Sequence, residues 1–232
     1  MNKKTSLIAG STGFLGSKIL NFLYKEDQKI YCLSRRENEI NSANIDDIII
    51  DFDTINDLSL PKIDHVYLCL GYELRAWELI SMPERKKGPF YKVDYEYTLN
   101  IAKKAEEAGA TSVSLVSAIG ANKNSESFYL KTKGDLEEEI KKLKFETINI
   151  FQPGHLAGRI NWQRQKNDPR IDVFAFEFGS LFFDSFLISG LKKYRSIDAY
   201  NLANFIVKST IKGSLGLNYY NYSDFKKFIT RD

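Results

Sequence analysis

The sequence predicts an α/β fold: a doubly wound, mostly parallel sheet in a three-layer α/β/α sandwich with a small C-terminal cap. Short apolar runs rich in β-branched residues alternate with longer segments of helical period, as in βαβ units. The 232 residues are 43% hydrophobic, enough to bury one substantial core. We therefore expect a single domain over 1–232, with a dinucleotide-binding core at 1–152 and a substrate-pocket portion at 153–232.

The apolar runs and the helical periods define the predicted elements in chain order. The predicted strands are Ser6–Ala9, Ile30–Leu33, Asp47–Ile50, His65–Leu70, Ser112–Val116 and Glu146–Phe151. The predicted helices are Phe14–Tyr24, Asp94–Ala108, Tyr129–Leu143 and Asp198–Ile211. Beyond Pro153, a polar loop at Gly158–Arg170 and an aromatic segment at Val173–Phe186 are expected to cap the carboxyl ends of the strands, where open α/β sheets bind ligands.

Composition excludes several classes of partner. The net charge of +3 comes from both signs mixed along the chain, with no basic stripe for nucleic acid. Cys32 and Cys69 lie in apolar runs and look like reduced core cysteines, so no metal site is expected. Glu177 and Asp184 interrupt the most apolar stretch, Phe174–Leu191, which excludes a membrane span. With no apolar signal peptide at the start, we expect a cytoplasmic location. The expected partner is a small-molecule substrate, and the chain is expected to be a monomer or a homodimer.

A glycine-rich turn follows the first predicted strand and opens the first predicted helix. Gly10 permits a tight turn, Gly13 lets backbone N–H groups approach a pyrophosphate at the helix N-terminus, and Gly16 lets helix and strand pack closely. An ordinary loop is the alternative, and the preceding strand disfavours it. The turn supplies seven candidate cofactor contacts: Gly10, Ser11, Thr12, Gly13, Phe14, Leu15 and Gly16.

The end of the second strand bears on cofactor choice. Ser34, Arg35 and Arg36 stand where an NAD-specific protein would place an acid on the ribose 2′-hydroxyl. Guanidinium groups suit a 2′-phosphate, so NADP(H) is favoured over NAD(H), although a solvated arginine pair is the alternative. An Asp after the third strand could accept from the adenine amine or be an ordinary polar strand end. The remaining candidate cofactor contacts are Asp51, Phe52, Leu70, Gly71 and Pro153.

A Ser, Tyr, Lys set follows the fifth strand. Ser117 ends that strand, and Tyr129 and Lys133 lie one turn apart on the same face of the next helix. Tyr222 and Lys226 repeat the YxxxK spacing, but we expect no strand and serine of the right kind before them. The first pair is therefore the credible one.

These three residues suit hydride transfer. Charge that develops on a carbonyl oxygen needs a proton donor, and Tyr129 is the candidate acid/base. Lys133 would lower the pKa of the phenol and contact the nicotinamide ribose, while Ser117 would steady the substrate oxygen. The alternative is a helix-surface Tyr, a solvated Lys and a strand-end Ser.

Several segments carry a family likeness: GSTGFLG, LSRR, VDYEYTLNIAKKAEEAG, LVSAIGANKNSESFYLKTKG and FQPGHLAGR. The chain resembles the atypical short-chain dehydrogenases/reductases, and more narrowly the oxidoreductases related to the human Tat-interacting protein, from Ser6 to Phe178 and again around Tyr194–Ile206. The resemblance implies a Rossmann sheet, NADPH at the glycine turn and the catalytic roles given above. Asp94 departs from the Asn of many catalytic members, and Tyr72–Pro89 is a longer segment that shapes a pocket or forms a surface flap.

The leading hypothesis is an NADPH-dependent oxidoreductase of the short-chain dehydrogenase type acting on a carbonyl or alcohol. Its substrate would be a small, apolar molecule held by aromatic residues of Val173–Phe183. Structural packing or a subunit interface explains the aromatic character of this segment equally well. A non-catalytic NADPH-binding regulator or assembly factor is the chief alternative. An epimerase or dehydratase with tightly held NAD is a third, disfavoured by Arg35 and Arg36 and by the small C-terminal portion.

Overall fold

A computed structural model describes residues 4–40, 42–79, 81–157 and 197–230. Within these residues the core is one parallel sheet of seven strands in the order β3-β2-β1-β4-β5-β6-β9. These strands are β1 Thr5–Ala9, β2 Lys29–Ser34, β3 Ile45–Ile49, β4 His65–Leu68, β5 Ser112–Val116, β6 Thr147–Phe151 and β9 Gly216–Tyr220. A separate parallel pair joins β7, Leu156–Ala157, to β8, Ile197–Asp198.

Helices cover both faces of the sheet. They are α1 Phe14–Leu23, α2 Glu84–Tyr91, α3 Thr98–Glu107, α4 Phe128–Ile140, α5 Ala199–Lys212 and α6 Tyr222–Ile229, with 3₁₀ turns at Phe52–Asp57 and Ala76–Leu79. The buried faces of α1 and α5 share one hydrophobic core, and those of α3 and α4 share the other. Every residue of β4 and β6 is buried, as expected for strands covered on both sides. The predicted doubly wound sandwich is confirmed.

Three strand predictions needed correction. β3 begins two residues before the predicted Asp47, and β4 ends at Leu68, so Leu70 lies beyond the strand. The edge strand β9 was not predicted, because it contains a glycine and is mostly exposed on one side. Tyr222 therefore does follow a strand, contrary to expectation, although that strand ends in Tyr220 rather than in a serine.

The helix predicted to start at Asp94 starts ten residues earlier. It runs from Glu84 through α2, a π-helical turn at Lys92–Tyr97 and α3. The first turns are charged and exposed, and Pro89 and the π turn interrupt the 3.6-residue period, so the sequence pattern does not reveal this start. The inserted segment Tyr72–Pro89 thus ends as helix.

The portion beyond Pro153 has two parts. Residues 197–230 add the edge strand and two helices to the sandwich, with α5 packed beside α1. The predicted polar loop Gly158–Arg170 and aromatic segment Val173–Phe186 lie outside the described residues. Within the described ranges, no helix has the length and apolar character needed to cross a bilayer, and no group of His, Cys, Asp or Glu side chains could hold a metal ion.

Candidate functional site

The glycine turn joins β1 to α1 through close backbone contacts. Gly10 has a φ of +87°, and a Cβ there would lie 2.8 Å from the carbonyl oxygen of Cys69. A Cβ on Gly16 would lie 2.1 Å from the carbonyl oxygen of Gly10. Real Cβ atoms do not approach oxygen so closely, so both positions require glycine. The turn is therefore built with backbone against backbone, and α1 starts close to the end of β1.

The N-terminus of α1 is suited to an anion. Gly13 is the N-cap residue and has no side chain to cap the helix, and the first turn carries no acidic residue. Backbone N–H groups and the positive end of the helix dipole therefore face the position that a phosphate would take. A Cβ on Gly13 would stand 3.1 Å from the Gly10 carbonyl oxygen and would narrow this approach. The turn fits the pyrophosphate of a dinucleotide.

The loop after β2 brings an arginine to this turn. Arg36 Nη2 donates to the carbonyl oxygen of Thr12 at 3.4 Å. Ser34 is buried, and its hydroxyl donates to the carbonyl oxygen of Arg36, which fixes the loop. Arg35 and Arg36 are both exposed. The guanidinium of Arg36 therefore lies beside the glycine turn with its outer face in solvent.

The residues after β3 have separate roles. The Asp51 carboxylate accepts from the backbone N–H of Asp53 at 3.1 Å and caps the 3₁₀ turn. The Phe52 ring is buried, with its centroid 5.6 Å from that of Tyr97. Asp53 accepts from the Tyr97 hydroxyl and pairs with Lys92 Nζ at 2.6 Å. Of the two aspartates, Asp51 makes no ion pair among those described, so it remains the better placed to accept from an adenine amine.

Lys133 forms a buried ion pair on α4. Its Nζ lies 2.7 Å from Asp94 Oδ1, and the two side chains are 7% and 3% exposed. Asp94 Oδ2 accepts from the backbone N–H of Tyr72 at 2.6 Å. Burial alone would lower the pKa of Lys133, but the Asp94 carboxylate, followed by Tyr129, outweighs this effect and raises the pKa. Lys133 is therefore a stable buried cation.

The π-helical turn places Asp94. Within Lys92–Tyr97, Asp94 is buried whereas Lys92 and Glu96 are exposed. The Thr98 hydroxyl donates to the carbonyl oxygen of Val93 at 3.0 Å, which satisfies a backbone group in the widened turn. π-helical turns are rare and occur frequently at functional sites. The sequence singled out Asp94 as a departure from its family but did not reveal its ion pair.

Ser117 is buried and donates its hydroxyl proton to the carboxylate of Glu137. Gln152 Nε2 donates to both Glu137 oxygens, at 2.9 and 3.2 Å. Burial raises the pKa of Glu137, and the hydrogen bonds from Gln152 and Ser117 oppose this effect. In this arrangement the hydroxyl proton of Ser117 is engaged in a hydrogen bond within the protein. Sequence reasoning missed Glu137 and Gln152, although Glu137 lies one helical turn after Lys133 and so on the same face.

Tyr129 lies in the first turn of α4 and is half-buried. Its ring centroid lies 5.6 Å from that of Phe90, which is fully buried at the end of α2. Tyr129 and Lys133 lie four residues apart on α4, so their side chains share one face of the helix. The structure therefore brings Tyr129, Lys133 and Asp94 together.

The loops after β4 and β6 lie near this group. A Cβ on Gly71 would lie 4.0 Å from Asp94 Oδ1. The Pro153 carbonyl oxygen accepts from Ile119 N at 2.9 Å, which ties the loop after β6 to the loop after β5. Leu70 is half-buried beside Gly71. The candidate site thus lies at the carboxyl edge of the sheet.

The inserted segment Tyr72–Pro89 is tied to the site at several points. Besides the Tyr72 contact with Asp94, the Leu79 carbonyl oxygen accepts from the Ser127 hydroxyl at 3.2 Å, at the start of α4. Glu78 is buried and pairs with Lys86 Nζ at 2.6 Å. The segment therefore packs against the start of α4.

Two relatives share most of the chain. This chain is 35% identical over 156 residues to Protein FMP52, mitochondrial, of Meyerozyma guilliermondii. The matched region covers 66% of this chain and 65% of that protein, so this chain spans just under two thirds of the relative's length. It is 28% identical over 190 residues to Protein HTATIP2 of Rattus norvegicus, which covers 78% of this chain and 73% of that protein. The second match agrees with the resemblance to atypical short-chain dehydrogenases/reductases.

The expectation of a cytoplasmic location is overturned by these relatives. The FMP52 proteins of Meyerozyma guilliermondii and Candida glabrata are named as mitochondrial. The expectation depended on the absence of an apolar signal segment. Mitochondrial targeting sequences are amphipathic rather than apolar, so that absence does not bear on a mitochondrial location.

One solved structure shows the fold of this chain, and one family model shows its family. The chain superimposes on a short chain dehydrogenase from Burkholderia cenocepacia J2315 in complex with NADP with a TM-score of 0.66 and 13% identity, covering 99% of this chain and 92% of that one, which shows the fold. The family model described as NAD dependent epimerase/dehydratase family matches residues 6–149. This range includes the glycine turn, Ser117, Tyr129 and Lys133. The chain therefore belongs to the NAD dependent epimerase/dehydratase family, whose members bind NAD(P).

Proposed function

We propose that this protein is an NADPH-dependent oxidoreductase that interconverts a carbonyl and an alcohol, with Tyr129 as the acid/base. One observation carries the proposal: the glycine turn before α1 and the group formed by Tyr129, Lys133 and Asp94 lie at the same carboxyl edge of the sheet. Parallel α/β sheets bind their ligands at this edge. A phosphate site and a proton donor are thus available to one bound dinucleotide and one substrate.

The cofactor would be held by residues from the ends of three strands and from α4. The backbone of the glycine turn takes the pyrophosphate, and Arg35 and Arg36 take the 2′-phosphate through charge-assisted hydrogen bonds. Asp51 accepts from the adenine amine, and Lys133 donates to the nicotinamide ribose. When bound, NADPH supplies the hydride.

The chain's own residues transfer the proton and contact the substrate oxygen. In the reductive direction the Tyr129 hydroxyl donates its proton to the carbonyl oxygen as negative charge develops there, and in the oxidative direction the phenolate accepts it. The cation of Lys133 stabilises the phenolate that remains. Ser117 would contact the substrate oxygen by rotating its hydroxyl away from Glu137. The aromatic wall expected from Val173–Phe183 lies outside the described residues and remains part of the proposal for a small, apolar substrate.

A specific observation favours a second candidate, a regulator that binds NADPH without turnover. The polar atoms of Lys133 and Ser117 are already engaged by Asp94 and Glu137. Polar groups that already have partners within the protein are not available to bind a substrate. Measurable turnover of any carbonyl in a broad panel would exclude this candidate.

Cofactor preference tests the proposal. Calorimetric titration should give at least several-fold tighter binding of NADPH than of NADH. Arg35→Ala/Arg36→Ala should remove this preference and leave NADH affinity unchanged, because only the 2′-phosphate contact is lost. Lys25→Ala/Arg85→Ala, which also removes two exposed cations, serves as the control and should keep the preference. Equal affinities, or a preference that survives in the double arginine variant, would remove the basis for assigning NADPH.

A further inference from the structure

The last strand of the sheet, β9, is an open edge. It has β6 on one side, and within the described residues no strand lies on its other side. The backbone N–H of Gly216 and the backbone carbonyl of Tyr220 bond to the residues that flank β6, each at 2.8 Å, so both residues face β6. Successive residues of a strand turn their backbone groups to opposite sides. Leu217 and Tyr219 therefore direct their N–H and C=O groups to the free edge.

The same edge exposes a row of apolar side chains. Leu215 is 82% exposed, Leu217 is 49% exposed and Tyr219 is 41% exposed. Lys141 Nζ of α4 lies 5.4 Å from the centre of the Tyr219 ring, and Leu217 shares that face because side chains alternate along a strand. An open edge strand with apolar side chains is a template for pairing with a further strand.

The opposite edge of the sheet has charges that protect it. There β3 carries the adjacent, exposed residues Asp46 and Asp47. From Leu215 to Tyr220, in contrast, the sequence contains no Lys, Arg, Asp or Glu. Charges on an edge strand oppose pairing between copies, because the second copy brings the same charges. Of the two edges, β9 is therefore the one that can meet its own copy without placing like charges together.

The hydrogen-bonding pattern of β9 is self-complementary. When two copies run antiparallel about a two-fold axis at Asn218, Leu217 lies opposite Tyr219 of the partner subunit, and the reverse. Both residues direct their backbone groups outward, so each of the two pairs exchanges two hydrogen bonds. Asn218 faces β6 and falls at the position between these pairs, where no bond is exchanged. A shift of one residue would oppose outward groups with inward groups, so the pattern selects this register.

We propose that β9 pairs with β9 of a second copy of this chain, antiparallel about Asn218, and joins two seven-stranded sheets into one continuous sheet. Leu217 and Tyr219 of the two copies then form one apolar cluster on the α4 face. Two five-residue strands form a small interface compared with the about 1,200–2,000 Å² of standard complexes, so we expect a micromolar dissociation constant. The pairing uses none of the candidate site residues, so it is independent of the proposed function.

Sedimentation equilibrium of the full chain, over about 1 μM to 1 mM, tests the dimer. The wild type should show a monomer–dimer equilibrium. Leu217→Lys should raise the dissociation constant at least about tenfold, because the symmetry places two lysines in the apolar cluster. Ile49→Lys is the matched control, since Ile49 is 53% exposed on the other edge strand, and it should leave the constant unchanged.

The outcomes that would overturn the dimer are distinct. A wild type that is monomeric at every concentration would overturn the inference and leave the edge to a strand of another protein. Equal dissociation constants for Leu217→Lys and Ile49→Lys would show that any dimer forms elsewhere. Circular dichroism of both variants should match that of the wild type, which excludes loss of the fold as the cause.

Cross-linking tests the register. In the proposed pairing the two Cα atoms of residue 218 lie about 4.5 Å apart, within the span of a disulfide. Asn218→Cys should therefore form a covalent dimer in a glutathione redox buffer, seen on a non-reducing gel. Leu217→Cys is the control, because its counterpart would be a diagonal neighbour about 7–8 Å away, too far for a disulfide. Equal or stronger cross-linking of Leu217→Cys would overturn the register.

The two measurements support each other. Asn218 Nδ2 donates to Asn149 Oδ1 at 3.2 Å, and Asn218→Cys loses this bond. Should that variant fail to fold, sedimentation of Leu217→Lys and Ile49→Lys decides the inference alone. The native cysteines are present in every variant, so comparison with the wild type removes any cross-link that they form.

Discussion

Gly16 lies directly against the carbonyl group of Gly10, so closely that a Cβ on Gly16 would stand 2.1 Å from the oxygen and 2.8 Å from the carbon. Both neighbours are backbone atoms, which cannot rotate away as a side chain could. The contact therefore fixes the distance between the end of β1 and the first turn of α1. It also fixes the glycine turn between them.

Gly16→Ala should destabilise the protein for this reason. We expect the free energy of unfolding to fall by about 1–3 kcal/mol, as in overpacked sites, measured by urea denaturation. Gly88→Ala is the matched control, because Gly88 is also helical and a Cβ there meets nothing within 4 Å. It should raise the free energy of unfolding by about 0.5–1 kcal/mol. Equal stabilities for the two variants would contradict the close contact.

Gly13→Val should separate binding from folding. A Cβ there approaches the Gly10 carbonyl oxygen at 3.1 Å, a contact that a small shift relieves, so the circular dichroism spectrum should stay native. The branched side chain would occupy the approach to the N-terminus of α1, and calorimetry should detect no dinucleotide binding. Gly88→Val provides the control and should bind as the wild type does. Normal NADPH binding by Gly13→Val would show that the turn does not hold the pyrophosphate.

A buried polar network crosses the sheet at His65. His65 Nε2 lies 3.1 Å from Ser114 Oγ, which lies 2.8 Å from the hydroxyl oxygen of Thr210 on α5. Burial, with a smaller contribution from Lys4, lowers the pKa of His65 to about 3. In the unfolded chain, His65 has its ordinary pKa near 6.5 and begins to bind a proton as the pH falls to that value. In the folded protein the imidazole is still neutral at that pH.

Stability should consequently fall in mild acid. The contribution of His65 is fully present above pH 6.5 and is lost as the pH falls toward 3, because only the unfolded state binds the proton in this window. Between pH 7 and pH 5 the wild type should lose about 2 kcal/mol more than His65→Gln, measured by urea denaturation. Comparing the two proteins at each pH removes the shared contribution of the carboxylates. Parallel losses would mean that His65 is protonated in the folded state.

Local patterns predicted much of this architecture, and contacts between distant segments escaped prediction. The glycine turn and the Tyr129–Lys133 spacing are short-range signals, because strand, turn and helix each impose their own period on neighbouring residues. The bond from Lys133 to Asp94 joins α4 to a π-helical turn that no periodicity reveals. The use of the Ser117 proton by Glu137 likewise depends on how α4 packs against β5. Such pairings become visible only once the elements are assembled.

The most direct test of the central claim is the turnover of Tyr129→Phe on the best carbonyl found in a broad panel. The substitution removes the phenol proton and keeps the ring that packs on Phe90. We expect kcat to fall by about 10²–10⁴-fold, the usual contribution of a general acid, while NADPH affinity measured by calorimetry stays nearly unchanged. Undiminished activity in Tyr129→Phe would contradict the mechanism, and a wild type that binds NADPH but reduces no carbonyl in the panel would contradict the assignment as an enzyme.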